Sequence, residues 1–157
     1  MTSEKEITIR SANLEDLPIL LKFEQGVIDA ERPMDPSLRL DKIHYYDLAA
    51  LITSDQAEVL VALVDNEIVG SGYAKIEKSK SWHKQHRHSY LGFMYTLPTY
   101  RGMGVNRHIL EGLAEWSKRQ GVYDLFLDVY DNNPAAIRAY EKFGFEKRLV
   151  EMRVKLE

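Results

Sequence analysis

Stretches in which apolar side chains recur every second residue alternate along the chain with stretches in which they recur every three or four. This alternation predicts the elements in order. Ile7 and Ile9 alternate with polar neighbours as a first strand does. Asn13 is placed to cap a helix whose first turn carries Glu15 and Asp16, and whose apolar residues Leu17, Leu20, Leu21, Val27 and Ile28 suit a packed face as far as about Glu31. Pro18 lies early enough in it to be tolerated. Two prolines exclude regular structure from Arg32 to Arg39, and a second helix is predicted over Ile43 to Ile52, with Tyr45, Leu48, Ala49 and Ile52 on one side. Val59, Val61 and Leu63 alternate, Asp65-Asn66-Glu67 makes a tight turn, and Ile68 to Ile76 returns as the partner of a hairpin.

The polar stretch Lys78 to His88 reads as a loop, and Tyr90 to Leu97 as a strand buried on both faces and closed by Pro98. Val105, Ile109, Leu113 and Trp116 then repeat at helical spacing, with Lys118 and Arg119 in the last turn and Gly121 as the stop. Asp124 to Tyr130 reads as a fifth strand. Asn133 and Pro134 start a helix in which Ala136, Ile137, Tyr140 and Phe143 form the buried stripe, and Gly144 ends it. Phe145 to Leu156 alternates as a sixth strand. The order predicts an α/β fold: a mixed, mostly antiparallel six-stranded sheet covered by helices. Its fourth and fifth strands, joined by a helical crossover, are parallel. At 157 residues, positions 1–157 are expected to form one domain.

Between the central strand and its helix lies a basic, glycine-rich turn. Gly102 and Gly104 let the backbone turn tightly and let its N–H groups approach a bulky anion. The positive end of the following helix faces that turn, and Arg101 adds a charge at the rim, a combination suited to phosphate. Two better-known phosphate loops do not fit. There is no Gly-Lys-Ser/Thr ending, and Arg107 stands where the dinucleotide fingerprint needs a third glycine.

Another pattern does fit. Arg101-Gly-Met-Gly104-Val-Asn106 resembles the Arg/Gln-x-x-Gly-x-Gly/Ala loop of the GNAT superfamily of acyl-CoA N-acyltransferases, with Asn106 where the family has Gly or Ala. Downstream, Asn133-Pro-Ala-Ala136-Ile-Arg-Ala-Tyr140-Glu-Lys-Phe-Gly144-Phe145 is similar to that family's Asn-x-x-Ala-x-x-x-Tyr-x-x-x-Gly-Phe segment. The resemblance implies acetyl-CoA as cosubstrate, a sheet whose fourth and fifth strands splay apart to admit the pantetheine arm, and direct acetyl transfer to a primary amine. It implies that Arg101, Gly102, Met103, Gly104, Val105 and Asn106 hold the pyrophosphate. Met94, Tyr95 and Thr96 would line the pantetheine arm, with a main-chain N–H among them as oxyanion donor. Tyr140, at the position of the family's acid, would protonate the departing thiolate, or pack as a core aromatic. Asp128 matches a position where some members carry a glutamate base, and a partly buried setting would raise its pKa; a water relay or a salt-bridged structural role are the alternatives. Asn133 would bond the cofactor's amides, cap its helix, or both. The first two helices and their loop would form the acceptor wall, which makes Glu31, Arg32, Asp35 and Tyr46 candidate substrate contacts.

Charge and composition narrow the partners. With 21 basic against 24 acidic residues the net charge is −3, which gives no general pull toward nucleic acid or anionic membrane. The absence of cysteine excludes disulfides, thiolate metal sites and a cysteine acyl-enzyme. His83, His86 and His88 lack an accompanying carboxylate or cysteine in sequence, so no metal is assigned. The charged N-terminus and the lack of a long apolar run fit a cytoplasmic protein. The acceptor stays open between small molecules and a peptide or protein amine, and a homodimer is one option for the assembly. The rival of another class is a noncatalytic acyl-CoA-binding module.

Overall fold

A computed structural model of the chain describes residues 5–157; Met1 to Glu4, which begin the charged N-terminal stretch, lie outside the described residues. Nine regular elements follow in order: β1 (Thr8–Ser11), α1 (Leu17–Glu31), α2 (Leu48–Thr53), β2 (Ala57–Val64), β3 (Glu67–Lys78), β4 (Arg87–Thr96), α3 (Val105–Arg119), β5 (Leu125–Leu127) and α4 (Pro134–Phe143). The strands form one sheet in the order β1-β2-β3-β4-β5. β1 to β4 pair antiparallel, and β4 pairs β5 in parallel from Ser89↔Leu125 to Leu91↔Leu127. Asp65 and Asn66 close the β2–β3 hairpin with φ of 50° and 65°, the doubly left-handed conformation that matches the twist of flanking strands.

Helices cover both faces, and the pleat of β2 divides the core between them. Leu60, Ala62 and Val64 pack with Val105, Ile109, Leu110, Leu113 and Trp116 of α3. Val59 and Val61 point the other way, to Leu20 and Phe23 of α1 and Leu48 of α2. The start of α1 is fixed as its residues suggest. Asn13 and Asp16 cap each other's N–H groups around a short 3₁₀ turn, and Arg10 grips the Asp16 carboxylate at 2.7 and 2.9 Å, which holds its pKa below the ordinary value.

The structure corrects four expectations. There are five strands, not six: Phe145 to Leu156 is exposed beyond Phe145 and, after the Phe145 N–H closes α4 on Tyr140 O, makes no main-chain hydrogen bond among the described residues. α2 begins at Leu48 rather than Ile43, because the N–H groups of Tyr45 and Tyr46 are taken by the Glu24 carboxylate, both at 2.9 Å. The loop before β4 is confined to residues 79–86, and His88 belongs to the strand, with Nε2 3.4 Å from Glu77. β4 is not buried on both faces. Ser89, Leu91 and Phe93 are buried while Tyr90, Gly92 and Met94 are partly exposed.

Candidate active site

The centre of the molecule is the place where β4 loses its neighbour. β4 and β5 run together for three residue pairs, after which the edge of β4 turned away from β3 has no strand partner from Gly92 to Thr96 among the described residues. Next to this opening β4 carries a bulge, where the β3–β4 register shifts between Ser71 and Tyr73. Phe93 sits there at φ 58°, a left-handed conformation rare for a bulky side chain. The consequence is visible in the packing. Leu91 belongs to the core under α3, whereas Phe93, two residues on, belongs to the core under α1. The buried Ser71 hydroxyl holds the bulge by donating to Phe93 O at 3.1 Å. In the almost unbroken apolar run from Tyr90 to Leu97, Gly92 is the residue that could have signalled this bulge.

The expected cofactor residues cluster at this edge and just beyond it. Met94 packs its sulfur against Gly72, and Tyr95 lays its ring on Phe23, with centroids 4.9 Å apart. Gly26 makes that possible: a Cβ there would stand 2.7 Å from the Tyr95 ring. Thr96 O accepts from Arg101 Nε at 3.4 Å. Gly102 and Gly104 both take left-handed backbone, φ 80° and 86°, and a Cβ on Gly102 would meet nothing within 4 Å. These glycines are therefore required by conformation, not by crowding within the chain. From Gly102 to Arg107 the main-chain N–H groups have no hydrogen-bond partner among the described residues. That row includes the opening of α3 and forms a cradle of donors on the positive end of a helix, suited to a pyrophosphate. Met103 is exposed and Asn106 half-buried at its rim. Val105 contributes only its main chain, since its side chain fills the core against Gly70. His108, which sequence reasoning passed over, sets its Nδ1 2.8 Å from Gly104 O and so braces the loop.

Acid–base candidates flank the opening from three elements. Tyr140 is half-buried on α4, edge-on to Phe145 at 5.8 Å. Burial first, and the charge of Glu31 second, push its phenol up to about 12. Asn133 caps α4, its Oδ1 accepting from Ala136 N at 3.3 Å. Asp128 is exposed rather than partly buried, because β5 has ended and no strand covers it; it accepts from the Tyr90 hydroxyl at 2.8 Å. On the α1 side, Glu31 is partly buried and forms no ion pair among the described residues, and burial raises its pKa. The Tyr45 hydroxyl lies beside it, itself buried and without a hydrogen bond of good geometry. Asp35 is held below the ordinary carboxylate value by the Ser37 hydroxyl and by Tyr130, whose Oη donates to it at 2.7 Å. Tyr46 packs on Tyr73 and Phe93 at 5.5 and 5.2 Å, while Arg32 turns away to the carbonyls of Arg39 and Asp41. Of the four proposed acceptor contacts, Glu31 and Asp35 thus lie together with tyrosines and Arg32 does not join them.

One organising residue carries no sequence signal as such. Glu24, fully buried in α1, bonds His44 Nδ1 at 2.7 Å as well as the two N–H groups of Tyr45 and Tyr46, and so pins the tyrosine-bearing segment to the helix. No group of three or more His, Cys, Asp or Glu side chains among the described residues could hold a metal ion. No helix among them is long and apolar enough to cross a membrane.

Comparison with known proteins agrees with this geometry. Residues 24–145 match the model of the Acetyltransferase (GNAT) family. An N-alpha-acetyltransferase of Sulfurisphaera tokodaii is 27% identical over 150 residues, 91% of this chain and 82% of the relative. Among solved structures, a tetramutant of the BH1408 protein from Bacillus halodurans superposes with a TM-score of 0.83 at 22% identity, covering 95% of this chain and 99% of the other. A predicted acetyltransferase from Clostridium acetobutylicum, solved with acetyl-CoA, superposes with a TM-score of 0.72 at 21% identity over 96% of this chain and 97% of the other.

Proposed function

The chain belongs to the GNAT acetyltransferase family, whose members use acetyl-CoA, and from that premise we propose that it transfers an acetyl group directly to a primary amine of a small molecule or peptide. What supports this reading is one juxtaposition: a row of unpaired N–H groups at the head of α3, beside a bulged strand whose outer edge is open, with ionisable groups of α1, of α4 and of Asp128 just past β5 around it. Each part answers a chemical need of acyl transfer. Bound acetyl-CoA supplies the activated acyl carbon. Arg101 and the N–H groups from Gly102 to Asn106 would hold its pyrophosphate, and Met94, Tyr95, Thr96 and Asn133 would flank the arm.

An amine reaches the site as an ammonium ion and must lose a proton before it attacks. Glu31 and Asp35, set among Tyr45 and Tyr130, would receive the cation. Asp128, directly or through water, would take the proton. Main-chain N–H groups on the free edge of β4 would stabilise the oxyanion, since they are oriented by the bulge before any substrate arrives. Tyr140 would return a proton to the departing sulfur. A phenol pushed up to about 12 keeps its proton at neutral pH and remains a hydrogen-bond donor there. Because two relatives are called N-alpha-acetyltransferase, peptides with a free α-amine are among the acceptors to try.

The test is release of free coenzyme A thiol from acetyl-CoA in the presence of a panel of polyamines, amino acids, aminoglycosides and peptides with free N-termini. Amine-dependent release is expected for at least one class. Binding of acetyl-CoA with no release for any class would support a noncatalytic acyl-CoA-binding module instead.

A further inference from the structure

The hairpin of β3 and β4 concentrates charge of the sign opposite to that of the whole chain. Residues 78–88 contain Lys78, Lys80, Lys84 and Arg87 and no acid, whereas the chain as a whole carries a net charge of −3. All four cations are exposed, and none of them forms an ion pair among the described residues. Glu77, the acid that precedes them, is engaged by His88 at 3.4 Å. At the base of the hairpin Lys78 lies opposite Arg87, and Arg87 donates to Gln120 O at 3.0 Å, which brings up the end of α3 with Arg119 exposed.

At the tip of the same hairpin an indole stands in water. Trp82 is 76% exposed, with the His83 ring stacked on it at 6.2 Å and 29° between planes, and Lys80 Nζ 5.6 Å from its centroid. The tip is held in this form. Ser79 N–H donates to His86 O and His83 N–H to Lys80 O, both at 2.9 Å, and the Ser79 hydroxyl bonds His88 Nδ1 at 2.9 Å. His83 and His88 in turn rest on the Phe126 ring, at 6.4 and 4.5 Å. The hairpin therefore presents a fixed π surface with cations before and after it in the chain.

We propose that this hairpin tip binds single-stranded nucleic acid, with a base stacked on Trp82 and the flanking phosphates on Lys78, Lys80, Lys84 and Arg87. Every base offers a π face and every linkage a phosphate, so such a site uses both features and tolerates sequence. Other polyanions use only part of it. An acidic polypeptide pairs with the cations and leaves the indole idle. A membrane surface takes the indole, but Trp82 is the one large apolar side chain in residues 79–86, too little apolar area to seat a segment in an interface. The net charge of −3 does not oppose binding at ordinary ionic strength, because charges more than about 10 Å away are largely screened at 0.1 M salt.

Fluorescence titration of the full chain tests this, because Trp82 and the buried Trp116 are its two tryptophans. Oligouridylate or oligodeoxythymidylate should quench the emission, and the tighter of the two tells RNA from DNA. The log of the association constant should fall against the log of salt with a slope of about −3, as four neutralised phosphates at about 0.7 each require. With a labelled strand read by anisotropy, Trp82→Ala should weaken binding at least about fivefold and leave that slope unchanged. Lys80→Ala with Lys84→Ala should reduce the slope by about half. All three positions are exposed, so the melting temperatures should stay near the parental value. Emission unchanged by either strand at low salt would overturn the proposal, as would a Trp82→Ala variant that binds like the parent. A duplex bound as tightly as the single strand would also overturn it, since paired bases do not reach the indole. Polyglutamate competing as well as the oligonucleotide would assign the surface to an acidic protein instead, and binding confined to phosphatidylserine vesicles would assign it to a membrane.

Discussion

At Tyr140 the ring and the hydroxyl are assigned different work, so a single atom separates packing from chemistry. The ring lies against Phe145 and the α3-side core, and Tyr140→Phe keeps it. The melting temperature should stay near the parental value while kcat at saturating acetyl-CoA falls about 10²-fold, the lower end of general-acid contributions. A raised KM with kcat unchanged would make the hydroxyl a cofactor contact only. Asp128 and Glu31 are distinguished in the same way. If Asp128 takes the proton, Asp128→Asn should lose most activity at neutral pH and less at high pH, where more amine is already neutral. Glu31→Gln should mainly raise the acceptor KM. A pH-independent loss in Asp128→Asn together with a lower melting point would assign Asp128 to structure, through its bond to Tyr90. Glu24 acts through others: Glu24→Gln should cost about 1–3 kcal/mol of unfolding free energy, because a buried acceptor of three hydrogen bonds is replaced by a poorer one. Denaturant titration measures it. Tyr140 could be singled out from sequence because it stands in the Asn133 to Phe145 segment, and Asp128 because of its place in the apolar stretch read as the fifth strand. Glu24 could not, since a glutamate in a helix ordinarily faces water and only the fold shows what it meets.

On the proposed reading, cofactor binding rests on the turn into α3. Saturating coenzyme A at a hundredfold excess over its dissociation constant should stabilise the protein by about 2.7 kcal/mol. Gly104→Val should remove most of that effect, and should itself destabilise the free protein by about 1–3 kcal/mol, because φ at this position is 86°. Unchanged coenzyme A stabilisation in a folded Gly104→Val variant would make the loop structural only. Elements announced by local chemistry were legible from the residues: the Asn13 cap, the Asp65-Asn66 turn, the glycine turn and the Asn133-Pro134 helix start all stand where expected. Elements decided by distant partners were not. α2 lost its first turn to Glu24, β4 gained a bulge opposite Gly72, and the last alternating segment pairs with no strand among the described residues.

For the molecule as a whole, the buried phenols set a pH limit. Burial raises the pKa of Tyr73 and Tyr140 to about 12, above the value near 10 expected in the unfolded chain, so the folded state favours the neutral form. Their contribution to stability is complete below pH about 10 and is lost as pH rises through about 12, because the unfolded chain releases those protons first. Unfolding free energies measured by denaturant should be level from neutral pH up to about 10 and fall steeply beyond it; a level profile through that last interval would mean that these phenols are open to solvent. The arrangement of the sheet, four antiparallel strands and a parallel fifth, was readable because connection lengths and crossover handedness leave few alternatives, whereas the strand count was not. The central claim is direct transfer of acetyl from acetyl-CoA to an amine in a chain without cysteine. Mass spectrometry of a single turnover, at enzyme in excess over acetyl-CoA with an accepted amine, reads it most directly. The account predicts one acetyl group on the amine, one free thiol per transfer and an unchanged mass for the protein. An acetylated protein that goes on to acetylate the amine would contradict direct transfer, and acetyl-CoA recovered intact would contradict the activity itself.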